Sequence, residues 1–308
     1  MRFGVHGLNF GQVAGNIPIL LRVATRTDEL GFDSLWVGDH IIIPTQIASA
    51  YPYSPTGTPP FKPDESALEP LTLLSYLAGC TSRIQLGISV LIVPHRNPLY
   101  TAKVVSTLDV LSAGRVICGV GSGWMREEFD ALGLNFDRRG AETDEWIRIF
   151  KVCWIDDDPE YHGVIYSFGK VKFEPKPVQE PHPPIWVGGN SRRAMRRAVE
   201  LGDAWHPGWL RPEQLAAQRQ ELEAIAAKAG RDPATLDITL LRPMQILDRP
   251  AGGPRRALIG TPEQVAEDIH AYAQVGVSHL VLGFRTTDGQ EMLQQVERFA
   301  AEVRPRLQ

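Results

Sequence analysis

Eight short runs of β-branched or aliphatic residues recur along the 308-residue chain, each followed by a longer stretch of helical period. The runs are Arg2–His6, Ser34–Val37, Ile84–Leu91, Arg115–Val120, Pro184–Val187, Asp203–Trp205, Asp237–Leu241 and His279–Gly283. Near-continuous apolar segments such as Ile88-Ser89-Val90-Leu91-Ile92-Val93 suit strands covered on both faces, as in a parallel sheet. The helical stretches have their own punctuation. The first carries Pro18 near its start and Gly31 just past its end, and another opens with Thr261-Pro262-Glu263-Gln264, which predicts a capping box. The last places Met292, Val296, Phe299 and Val303 on one face. Eight consecutive βα units predict an α/β fold, a closed (β/α)8 barrel formed as one domain over residues 1–308. A doubly wound open sheet would show a glycine-rich dinucleotide turn after the first strand, and Gly7-Leu8-Asn9-Phe10-Gly11 lacks that pattern. Two insertions interrupt the alternation. Residues 43–69, after the second strand, are rich in Pro, Tyr, Ser and Thr and read as a loop or lid. Residues 158–183, before the fifth strand, include Tyr161–Phe173, whose alternation predicts a β-hairpin turning at Gly169-Lys170.

Composition removes several function classes. With 43% hydrophobic and 22% charged residues and a net charge of −4, the chain is an ordinary globular one, and it does not bind nucleic acid through bulk positive charge. No uncharged apolar run reaches the roughly 18 residues of a membrane span, and Met1–His6 has no signal-like character, so a soluble cytoplasmic protein is expected. Cys80, Cys118 and Cys153 lie far apart without zinc or disulfide spacing and read as small hydrophobes.

Chemistry in a barrel of this kind belongs at the C-terminal ends of the strands. Those positions hold Gly7 and Asn9, Asp39-His40, Ser89 through His95, Gly121-Ser122-Gly123-Trp124, Gly188-Gly189-Asn190-Ser191, His206-Pro207, Arg242-Pro243 and Gly283-Phe284-Arg285. Such a rim points to an enzyme or ligand binder. Gly188-Gly189-Asn190-Ser191 runs from a strand straight into a helix N-terminus, a natural anion site. Arg192, Arg193, Arg196 and Arg197 crowd that end, where the helix dipole opposes positive charge, and a bound phosphate would offset the conflict. A bare N-cap is the alternative. Asp39-His40 is the acid–base candidate, a strand-end imidazole beside a carboxylate. The histidines lack metal-ligand spacing, so no metal is expected.

Several of these stretches together resemble the bacterial luciferase-like family of flavin- or deazaflavin-dependent oxidoreductases. They are Leu35-Trp36-Val37-Gly38-Asp39-His40, Arg83 to Pro98, Leu111–Arg115, Gly119–Trp124, Ile185–Ser191, Leu201–Trp205 and Gly260–Glu263. The resemblance implies coenzyme F420, or alternatively FMN, with its ring over a bulge in the third strand and a cis peptide at Ser89-Val90. The cofactor would lie against Asp39, Ser89, Val90, Gly121, Ser122, Gly123, Trp124, Val187, Gly188, Gly189, Asn190, Ser191 and Arg192, while His40, with Asp39, exchanges a proton. Sugar-phosphate-oxidising relatives carry glutamate where this chain has Trp124. An indole there favours a small apolar substrate in a pocket of Asn9, Tyr51, Tyr53, Phe61, Trp124 and His206. The expected activity is hydride transfer between F420 and that substrate. The alternatives are a two-component monooxygenase supplied with reduced FMN by a separate reductase, and a cofactor-binding protein without catalysis. A homodimer is the expected assembly.

Overall fold

A computed structural model describes residues 1–250 and 255–307. Eight parallel strands close on themselves: β1 (Arg2–His6), β2 (Ser34–Val37), β3 (Gln85–Ile88), β4 (Val116–Gly121), β5 (Ile185–Gly188), β6 (Ala204–His206), β7 (Asp237–Ile246) and β8 (His279–Phe284). Each pairs with the next, and β8 returns to β1 through Arg2↔His279 to His6↔Gly283. This is the (β/α)8 barrel that the alternation predicts. β3 breaks after Ile88 and resumes as Leu91–Ile92 against β4, and the Ser89–Val90 peptide in the break is cis, as the resemblance implies.

Both faces of the strands are covered. Every residue of β2 and β4 is buried, and the outward side chains join the helices in one large apolar core. Inside the barrel Trp36, Ile117, Trp186, Ala204 and Val281 form a second, smaller cluster. Room for the Trp36 indole comes from Gly4 on β1 and Gly87 on β3, where any Cβ would overlap the ring. The helices begin where the residues dictate: Asn16 caps Ile17–Glu29, and Thr261 with Gln264 closes the capping box of Pro262–Gln274.

Three local expectations are corrected. The hairpin pairs Tyr161–His162 with Ser167–Phe168, so it turns through Gly163–Tyr166 rather than at Gly169-Lys170. Glu145, from helix Arg139–Ile155, accepts the backbone N–H groups of Val164, Ile165 and Tyr166 and so fixes the turn there. β7 runs on to Ile246 because Gln245 and Ile246 find a partner in Ile259–Gly260. The final helix is α-helical only over Gly289–Arg298 and continues as a π-turn at Phe299–Val303, where Phe299 packs 5.1 Å from Phe3 and 5.5 Å from Phe32 between ring centres. Among the described residues no helix is long and apolar enough to cross a membrane.

Candidate active site

The turn after β2 carries His40 to the C-terminal mouth. Asn9 fixes that turn: its amide donates to the carbonyls of Gly38 (2.8 Å) and Leu68 (3.1 Å) and accepts from the Gly38 N–H (3.0 Å). Asn9 is wholly buried, with its polar atoms engaged by backbone, so it shapes the mouth instead of facing a substrate.

His40 and Asp39 part company. Asp39 turns into the wall, where it forms a two-pronged pair with Arg96 (2.7 and 2.8 Å) and accepts the Ile92 N–H (2.8 Å). Arg96 also holds Glu69 at 3.0 Å. The carboxylate that meets His40 is instead Glu128, on helix Arg126–Ala131 after β4, with Oε2 2.6 Å from His40 Nδ1. Its other oxygen accepts the Ile41 N–H at 2.8 Å. Burial alone would raise the Glu128 carboxyl. The His40 hydrogen bond, the charges of His40 and His95, and the Ile41 amide outweigh burial and hold it below the ordinary carboxylate range. Because a carboxylate accepts at Nδ1, the proton sits there and the His40 Nε2 lone pair is free. Glu128 was missed because it lies 88 residues from His40, and Glu-Glu in a helix ordinarily reads as a solvated face. Its helix placement just after the Gly-rich turn of β4 was the available signal.

Below the mouth, Ser89 Oγ meets His206 Nε2 at 2.8 Å and His206 Nδ1 meets Thr239 Oγ1 at 2.7 Å. His206 thus belongs to the barrel interior, stacked on Trp36, and burial followed by the proximity of His6 pushes its imidazole down to about 3. The glycines have a steric cause. A Cβ at Gly121 or Gly188 would press into the Val90 side chain, so these residues make room for the bulge of β3. Gly123 and Gly189 hold φ of +77° and +116°, which glycine alone adopts freely. Val187 is fully buried, its methyl against Gly202, so only its backbone borders the mouth.

Asn190 clamps the neighbouring strand end, donating to the Gly208 carbonyl (2.8 Å) and accepting the Gly208 N–H (2.9 Å). Ser191 caps helix Arg192–Leu201 through the Ala194 N–H at 3.2 Å. Of the four arginines there, Arg197 is anchored to Asp144, Arg196 lies 3.7 Å from Glu200 and Arg192 3.6 Å from Glu221. Arg193 is exposed, and among the described residues it has no ion pair. Arg139 reaches the Gly123 carbonyl (3.3 Å) and stacks on Phe136. Burial, then the nearby Arg126 and Arg193 against the pull of Asp137, leaves its guanidinium below the usual arginine range. Ser122 lies half-buried in the same turn. Over the other side stand aromatic rings: Phe61 is 5.0 Å and Trp124 6.2 Å from the His40 ring, and Tyr51 is 5.2 Å from Trp124. Tyr53 packs on Tyr51 and over Gly208. No group of three or more potential metal ligands gathers among the described residues.

Fold and site together define a (β/α)8 barrel with a histidine–carboxylate pair and glycine-rich turns at its mouth. The chain belongs to the luciferase-like monooxygenase family, whose sequence profile matches residues 1–251. It is 28% identical over 288 residues to an FMNH(2)-dependent dimethylsulfone monooxygenase of Pseudomonas putida, covering 77% of this chain and 78% of that one. Among solved structures, the monooxygenase RslO1 from Streptomyces bottropensis superposes with a TM-score of 0.80 at 22% identity over 99% of both chains. An F420-dependent secondary alcohol dehydrogenase, solved with an F420–acetone adduct, superposes at 0.79 and 18% identity over 100% of this chain and 99% of that one.

Proposed function

We propose that the protein transfers hydride between coenzyme F420 and a small, uncharged, apolar substrate, with His40 moving the proton. The observation that carries this is the buried His40–Glu128 pair, which leaves one imidazole nitrogen free beside a wall of aromatic rings. The chain's donor set suits a flat phosphorylated cofactor. The first turn of helix Arg192–Leu201 offers the Arg192 and Arg193 backbone N–H groups, Arg139 and Arg193 supply positive charge beside the Gly123 turn, and the break in β3 presents Val90 as an apolar support. When bound, the deazaflavin supplies the carbon that gives or takes hydride. The residues do the remainder. As the carbon bearing a substrate hydroxyl gives up hydride, His40 Nε2 accepts the hydroxyl proton, the C=O bond forms, and Glu128 stabilises the resulting imidazolium. In the reducing direction the same nitrogen returns the proton. Phe61 and Trp124 exclude water from that exchange.

A second reading is supported by the Pseudomonas relative: a two-component monooxygenase that receives reduced FMN from a reductase. Both readings accommodate the homodimer that the family resemblance implies. Titration of the purified apoprotein with each cofactor separates them. Tight FMN binding with no measurable F420 affinity replaces the first reading with the second. Saturable cofactor binding without turnover in any substrate screen would favour a carrier. Once a substrate is in hand, unchanged turnover in His40→Ala removes the proton-transfer role.

A further inference from the structure

Tyr51, at the crown of the insertion after β2, sits between two indoles. Its ring is 5.2 Å from Trp124 and 5.9 Å from Trp209, each at 74°, so both indoles meet it edge to face. The crown holds to the barrel through side-chain packing alone: these rings, Tyr53 over Gly208, and Phe61 against Phe10 and His40. Tyr51 N–H bonds to the Gly57 carbonyl and Ser54 N–H to the Tyr51 carbonyl, and among the described residues no hydrogen bond joins residues 50–65 to the barrel. The stems are fixed separately. Glu127 accepts the Ala48 and Ser49 N–H groups at 2.9 and 3.0 Å, and the Ser66 carbonyl accepts the Gly11 N–H at 2.8 Å. The Tyr51 ring can therefore withdraw without breaking a backbone bond to the barrel.

Trp209 is the second observation, and it is independent. Its φ is +62°, the left-handed region in which a bulky side chain is disfavoured and glycine is preferred. The surroundings enforce it. Trp209 N–H bonds to the Leu241 carbonyl at 2.9 Å, and its own carbonyl accepts from the guanidinium of Arg242. Arg242 is buried, forms no ion pair among the described residues, and leaves Nε without a partner. Gly208, one residue earlier, is clamped on both backbone groups by Asn190. Strain held in place by this many groups is characteristic of a site where a side chain's position matters.

We propose that Trp124 and Trp209 form an aromatic clamp for a ring of the substrate, that Tyr51 occupies the clamp in the unliganded chain as a displaceable plug, and that Arg242 is the positioning residue that holds Trp209 in place. Trp124 also borders His40, so a ring held in the clamp lies next to the imidazole. The substrate class is an uncharged molecule with an aromatic ring beside its hydroxyl or carbonyl carbon. This rests on reading the mouth as the reaction site.

Calorimetric titration with 1-phenylethanol, with its charged counterpart mandelate as the control, tests the clamp without cofactor or turnover. Tyr51→Ala vacates the clamp and tightens 1-phenylethanol binding by about fivefold, since the ligand no longer competes with the plug. Trp209→Gly, which suits the left-handed backbone, weakens binding by about fivefold, and Trp124→Leu does so by a similar factor. Weaker or unchanged binding in Tyr51→Ala, unchanged binding in both tryptophan variants, no binding in any variant, or mandelate binding as tightly as the alcohol would each overturn the proposal. In Arg242→Met, retention of wild-type affinity removes the positioning role. Opposite shifts in the Tyr51 and Trp209 variants, with no F420-linked oxidation of the bound alcohol, leave the clamp standing and sink the hydride-transfer reading.

Discussion

Two groups of histidines occupy this barrel and are treated in opposite ways. At the mouth, His40 faces a carboxylate: Glu128 accepts the His40 Nδ1–H at 2.6 Å and leaves Nε2 open. In the interior, His206 and His279 face hydroxyls. Trp36 Nε1–H donates to Ser34 Oγ at 2.6 Å, and the same hydroxyl pairs with His279 Nε2 at 2.7 Å. His279 is pushed down to about 3, by burial first and then by the nearby Arg2 and His206, and His206 likewise to about 3. A hydroxyl can satisfy a neutral imidazole but cannot neutralise a charged one, whereas a buried carboxylate stabilises the cation. The mouth therefore sets a carboxylate against its imidazole, and the interior sets only hydroxyls against its own. His95 lies between the two kinds. Fully buried beside Phe129, it has Nδ1 3.8 Å from Glu128, too far for a hydrogen bond, and burial holds it below the usual imidazole range.

The most severe way to break this contrast is to remove the carboxylate. Glu128→Gln keeps the shape but no longer stabilises an imidazolium, and turnover should fall by about 10²–10⁴. His279→Gln, in the interior, should leave turnover per folded molecule within a few-fold of wild type. Steady-state kinetics on both variants, normalised to the folded fraction, checks this. Equal losses would mean that the two groups are not functionally distinct. Asp39 provides the next largest effect. Asp39→Asn strips the buried partner from Arg96 and should cost about 3 kcal/mol in urea unfolding, with turnover largely retained. A collapse of turnover without loss of stability would place Asp39 at the reacting atoms.

The same contrast explains what the sequence made legible. Local rules reach local features, and so the strands, the capping box at Thr261 and the cis bulge position at Ser89-Val90 could be placed from residues alone or from family likeness. Adjacency in sequence, however, suggested that Asp39 serves His40. Successive side chains leaving a strand end point in different directions, and Asp39 finds Arg96 while His40 finds a glutamate on another βα unit. Glycines at positions 121 and 188 suggested phosphate contact, and the structure adds a steric reason for them that the sequence did not show, the nearby Val90 side chain. The left-handed Trp209 carries no sequence signal, because tertiary contacts from Leu241 and Arg242 impose it.

Acid titration tests the interior. With His206 and His279 lowered in the folded state, the unfolded chain binds more protons between about pH 6.5 and 3, so stability is fully present above that window and declines as pH falls through it. The two sites together give a slope of about 2.7 kcal/mol per pH unit near pH 5. The lowered Glu128 carboxyl has the same sense, its contribution being lost as pH falls through its folded value. Urea midpoints measured across the window should fall steeply, and a His206→Gln/His279→Gln pair of substitutions should flatten the dependence even as it lowers stability at neutral pH. An unchanged slope would show that these imidazoles are already able to charge inside the barrel.

The mildest test isolates a single hydroxyl. Ser34 Oγ accepts from Trp36 and pairs with His279 Nε2, and Ser34, Trp36 and His279 are all fully buried. Ser34→Ala leaves the indole N–H and the His279 nitrogen without partners inside the barrel, for a stability loss of about 1–3 kcal/mol. Because no atom of this trio reaches the mouth pair, the pH profile of turnover should keep its shape. A movement in that profile would mean that the interior network sets the charge at His40, and the two histidine groups would then have to be treated as one coupled system.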